Sequence, residues 1–104
     1  MTCGSLDEVR AEIDRIDDAI IRLIAERGAF VAQAARFKKD ADGVRDAGRV
    51  EGVIQRVRAK AAEYGADEDM AEALYREMIR RFVSMEMRAF DGGKNIREAQ
   101  AMRA

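Results

Sequence analysis

The 104-residue sequence predicts an all-α fold, and three observations carry that prediction. Apolar residues recur at steps of three and four along almost the whole chain, the spacing of one helix face. Pro is absent, so nothing breaks those stripes from within. Asp and Gly gather at a few joints, notably "DADGVRDAG" (residues 40–48) and "YGAD" (64–67), as turn formers do.

The first helix should begin near Leu6, because Ser5 and Glu8 have the spacing of a capping box. Leu6, Val9, Ile13, Ile16, Ile20, Leu23 and Ile24 form its stripe, continued by Phe30, Val31, Ala34 and Phe37, to about residue 40. Gly28 alone weakens the run. After the joint at 40–48, a second stripe runs through Val50, Val53/Ile54, Val57, Ala61 and Tyr64. Gly65 suits its C-terminal cap, and Asp67 the N-terminal cap of the next helix. The third stripe is Ala71, Leu74/Tyr75, Met78/Ile79, Phe82/Val83, Glu86 and Ala89/Phe90. The tail, 91–104, opens on a Gly pair and lacks a strong stripe, so it should be loose or weakly helical. The chain is thus one domain with a core at about 5–90.

A helix of about 35 residues is ~50 Å long. Two helices of about 20 residues cannot cover its apolar face, and soluble monomers rarely leave such a stripe in water. A second copy is the natural cover. The expected architecture is therefore one long and two shorter helices in an intertwined homodimeric bundle.

Composition excludes several functions. The formal net charge of −1 provides no basic field for nucleic acid or anionic lipid. The cluster "RVRAK" (56–60) reads as a solvated helix face. No apolar run approaches ~18 residues, so no membrane span is expected. "MTCGSLDEVR" lacks the charged-then-apolar pattern of a secretory signal, and a single Cys cannot form an internal disulfide, so a reducing cytoplasm is expected. His is absent, which removes His-based triads and His metal ligands. No metal or cofactor is expected.

Four charged residues interrupt the buried-looking faces: Arg27 and Lys38 on the first stripe, Arg49 on the second and Glu86 on the third. They could form interhelical ion pairs or send their stems to the edge. They could equally line a polar pocket inside the bundle. In that case cations outnumber carboxylates and the ligand is an anion, for which Arg offers two parallel hydrogen bonds. On one straight helix Arg27 and Lys38 share a face, with Cα atoms ~16 Å apart, close enough for long side chains to converge on a small ligand. Arg10 would stand ~42 Å from Lys38, so it could serve the same site only from a partner chain.

With these residues in place, the chain resembles the all-helical, intertwined-dimer chorismate mutases over about residues 5–90. The matching stretches are "LDEVRAEIDRIDDAIIRLIAER", "AARFK", "VRDAGRVEGVI" and "MIRRFVSMEM", with a slightly shortened connection between the first two helices. The resemblance implies rearrangement of chorismate, a cyclic dicarboxylate, to prephenate by a pericyclic step that needs no metal, nucleophile or His. It implies that Arg27 grips one substrate carboxylate and Arg10 of the partner subunit the other. Lys38 would donate to the ether oxygen, while Asp46 and Arg49 order the segment over the site, with Asp46 near the substrate hydroxyl.

Two departures stand out. Val50 replaces the Glu that binds the ring hydroxyl in better-known members, and Glu86 replaces the usual Gln that donates to the ether oxygen. Val50 and "ARFK" are similar to the isochorismate–pyruvate lyases, which form salicylate, although those keep Gln on the third helix. A third relative acts on 4-amino-4-deoxychorismate, and Phe82 and Ser84 lie where they could tune the ring accepted, packing being the other role for Phe82. An ionised Glu86 cannot donate a hydrogen bond, so full activity should require its protonated form. The competing reading makes Glu86 a salt-bridge partner of Lys38 or Arg49. Outside enzymology, the same fold could serve as a dimerising or regulatory module.

Overall fold

The computed structural model describes residues 2–38 and 40–103, the side chains of 41 and 90–103 excepted. Its elements are α1 (Leu6–Ala35), α2 (Ala41–Val44), α3 (Ala47–Tyr64) and α4 (Glu68–Arg103). None of the described residues lies in a strand. The chain divides into two compact units, residues 1–31 and 32–104.

The first unit is the greater part of α1. Ser5 Oγ accepts the Glu8 N–H at 3.1 Å, and the Glu8 carboxylate accepts the Gly4 N–H at 2.6 Å. Glu8 thus reaches one residue further back than in the standard box, and Ser5 satisfies one of the otherwise orphaned donors of the first turn. No α1 residue is buried. The stripe from Leu6 to Phe30 stands open, with Leu6 and Leu23 each 61% exposed.

The second unit contains the last turn of α1 and the other three helices. α1 stops at Ala35, short of the expected residue 40. Its end tightens through Arg36, Phe37 and Lys38 N–H groups that donate to carbonyls three residues back, at 3.0–3.3 Å. Lys38 therefore lies beyond the helix, and its expected spacing along one straight helix does not carry over. The joint at 40–48 also holds a turn of helix the pattern did not announce. In α2 the Asp40 carboxylate accepts the Gly43 N–H at 2.9 Å, and Val44, only 4% exposed, helps pack the turn on α4.

α3 opens on Asp46, whose Oδ1 accepts the Arg49 N–H at 3.0 Å. It closes on Gly65 in the left-handed region (φ 75°), with Ala66 N–H donating to Ala61 O at 2.8 Å. Only Gly adopts that conformation without steric cost. Asp67 caps α4 by accepting the Met70 N–H at 2.7 Å. Both "YGAD" caps are those expected. α4 then runs through Gly92 and Gly93 to Arg103 without a break at the glycine pair. The side chains of Phe90 and the tail, including any stripe there, lie outside the described residues.

α3 and α4 pack side by side around Val53, Ile54 and Ile79, with Val50, Val57, Tyr75 and Val83 half-buried against them. Along one edge Arg76 bridges Glu51 (2.9 Å) and Glu72 (2.7 Å), and Arg58 bridges Glu72 (2.8 Å) and Asp69 (3.0 Å). The Arg76 guanidinium holds Glu51 below its usual range; Arg76 and then Arg58 do the same for Glu72. On the outer face Arg80 and then Arg81 pull Glu77 down to about 2. Such exposed pairs contribute little singly, so the apolar seam between the two helices carries the packing.

Candidate active site

Within the second unit the structure brings together two of the residues singled out by sequence. Lys38 Nζ lies 2.9 Å from Glu86 Oε1. The Glu86 side chain is 3% exposed and the Lys38 side chain 27%. Among the described residues, Glu86 is the charged group in the buried set. It stands on the α4 stripe one turn after the half-buried Phe82 and three residues after Val83. Burying a carboxylate is costly without a counter-charge, and Lys38 supplies one.

The pair is in contact without being a directed hydrogen bond. Oε1 is buried and has no aligned donor, although the ammonium is at contact distance. The ion pair neutralises charge, and it is the Lys38 contact that the salt-bridge reading of Glu86 expects.

The remaining expected site residues are placed as follows. Asp46 and Arg49 meet at the start of α3, where the carboxylate caps the Arg49 backbone and both side chains are exposed. Val50 is half-buried against Val53, Ile54 and Ile79, which by itself accounts for an apolar residue there. Ser84 is exposed on α4. Arg27, half-buried and engaged in an interaction of its own, and Arg10, exposed, belong to α1 in the first unit. Sequence reasoning missed the residues beneath Lys38: Asp40, Gly43 and Val44. The Asp40-x-x-Gly43 spacing was the available signal, since it matches a capping carboxylate and the third residue of a helix.

Residues 9–87 match the model of the family described as chorismate mutase type II. The chain belongs to that family. Two relatives flank it. A chorismate mutase of Methanocaldococcus jannaschii is 31% identical over 75 residues, covering 71% of this chain and 76% of the relative. An isochorismate pyruvate lyase of Pseudomonas aeruginosa is 28% identical over 86 residues, covering 83% of this chain and 85% of the relative. The matched region of the type II mutase family includes Arg10, Arg27, Lys38, Asp46, Arg49, Val50, Phe82 and Glu86, so every charged stripe position lies inside it. Among the described residues, no helix is long and apolar enough to cross a membrane.

Proposed function

We propose that this protein is a chorismate mutase that isomerises chorismate to prephenate in an intertwined homodimer. The observation that carries the reading is a lysine, Lys38, held 2.9 Å from a buried carboxylate, Glu86, inside the matched region. The reaction breaks the ether C–O bond while forming a C–C bond within one molecule, so no group is transferred. Catalysis is the holding of a chair-like diaxial conformer and the stabilisation of charge growing on the ether oxygen. Lys38 donates to that oxygen. Arg27 binds one carboxylate through its planar fork, and Arg10 of the partner subunit binds the second. Asp46 and Arg49 close the site from the start of α3, with Asp46 toward the substrate hydroxyl. Glu86 assists only in its protonated form, since only that form donates, and the Lys38 ammonium opposes that protonation.

The exposed apolar face of α1 supports the dimer: Leu6, Ile13, Ile20, Leu23 and Phe30 are each 47–61% exposed in the single chain. A face of that extent is covered in solution, and a second copy would bring Arg10 to the site. Sedimentation at micromolar concentration checks this, and a monomer with full activity would refute the shared site. The setting is the cytoplasm, in the shikimate route to aromatic amino acids.

A specific residue favours a second reading. Val50 stands where a ring-hydroxyl acceptor is expected, so isochorismate–pyruvate lyase chemistry is the alternative, with 4-amino-4-deoxychorismate as a further substrate and a non-enzymatic helical module behind both. One experiment separates them: incubation of the purified protein with chorismate and with isochorismate, followed by product identification. Prephenate, lost on Arg27→Ala, supports the mutase. Salicylate and pyruvate would transfer the assignment to the lyase. Neither product, with dimerisation intact, would favour the amino analogue or the module.

A further inference from the structure

The one-turn helix α2 sits between Lys38 and α3 and bears no residue with a role in the proposed reaction. Its construction is nevertheless specific. Asp40 Oδ1 accepts the Gly43 N–H at 2.9 Å and closes the turn. Val44 is 4% exposed, among the most buried side chains described, and α2 packs on α4, the helix that carries Glu86. The stem of Lys38 lies along the turn: a methyl group placed on Gly43 would stand 3.7 Å from Lys38 Cβ and 3.9 Å from Lys38 Cδ. Lys38 itself follows a tightened helix end, its N–H donating to Ala35 O at 3.3 Å. Its backbone, its stem and its ammonium are thus each held by a different part of the second unit.

We propose that α2 is a clamp for Lys38, in which Val44 anchors the turn to α4, Asp40 holds it closed, and the Lys38 stem bedded on Gly43 presents the ammonium at Glu86. Asp40 and Val44 are positioning residues that act through Lys38. The long lysine side chain has four rotatable bonds, so a fixed ammonium needs such support. The catalytic consequence rests on the reading of Lys38 as donor to the ether oxygen. A misplacement of about 1 Å in such a group costs up to ~100-fold in rate.

The experiment compares Val44→Ala, Asp40→Ala and Asp40→Asn in the full chain, each with and without Lys38→Ala. Turnover of chorismate and the carboxyl carbon resonance of Glu86 at constant pH are the readouts, with circular dichroism to confirm folding. Expected are a loss of roughly 10- to 100-fold in kcat for Val44→Ala and Asp40→Ala, with little change in KM. Asp40→Asn restores most of the rate, because its amide oxygen still accepts the Gly43 N–H. In the Lys38→Ala background Val44→Ala costs nothing further. The Glu86 resonance in Val44→Ala moves toward its position in Lys38→Ala. An equal loss in both backgrounds, or an unmoved Glu86 resonance, would overturn the clamp. A parent protein with no turnover would refute the proposed activity instead, and the Glu86 resonance would then decide the clamp alone.

Discussion

Replacing Lys38 by Met removes the counter-charge of Glu86 while keeping much of the stem's volume. The remaining carboxylate is 3% exposed. Breaking a buried pair by deleting one partner costs up to ~3–5 kcal/mol. There is a ceiling, because an unpaired carboxylate can escape by binding a proton. Doing so at pH 7, from an ordinary Glu value, costs about 4 kcal/mol, and at pH 5 about 1 kcal/mol. Lys38 is 27% exposed, so water already weakens the native pair and can reach the site it vacates. The expected destabilisation at pH 7 is therefore ~2–3 kcal/mol, falling to ~1 kcal/mol or less at pH 5. The sign follows from proton counting: the folded variant binds a proton that the unfolded chain does not, so its deficit grows as pH rises. Urea unfolding at one fixed protein concentration measures it, because a dimer's midpoint depends on concentration. Adding Glu86→Leu to Lys38→Met should recover most of the loss at pH 7, since no buried charge is left unpaired. A deficit independent of pH, or a double variant no more stable than the single one, would refute this reasoning.

Three further outcomes are expected. Activity of the parent protein should fall as pH rises, and Glu86→Gln, which donates at every pH, should flatten the profile; an unchanged fall in the Gln variant would end the role of protonated Glu86. Gly65→Ala should destabilise by about 1 kcal/mol in thermal or urea melts, because φ is 75° while the space around the new methyl is open, and a loss above twice that would point to a contact the structure does not contain. The contacts of Glu51, Glu72 and Glu77 with arginines should stabilise fully above about pH 4.5, the ordinary Glu value, and the Glu77 share should be lost as pH falls toward about 2. Urea midpoints of the parent and of Glu77→Gln at pH 6 and pH 3, with and without high salt, test this, and identical pH responses would contradict it.

Much of the site could be seen in the sequence because its residues violate a pattern. Lys38 and Glu86 were conspicuous as charges on apolar stripes, and they meet in space at 2.9 Å. Val50 was conspicuous only against a family expectation, and its packing on Ile54 and Ile79 gives it a second, purely structural reason to be apolar. Val44 gave no signal at all, since a lone valine among Asp, Gly and Arg breaks no rule; burial against α4 is what distinguishes it.

The sequence by itself determined the helices and most of their caps, because these depend on neighbours three and four residues away. Ser5, Asp46, Gly65 and Asp67 each satisfy groups within their own turn, so their roles do not depend on the rest of the chain. Tertiary structure decided that α2 exists and that Glu86 is buried. Those outcomes rest on contacts between residues tens of positions apart: Val44 on α4, and Lys38 on a carboxylate 48 residues later. A turn as short as α2 has too few internal hydrogen bonds to form alone, and it is supported by the burial of Val44 where α2 packs on α4.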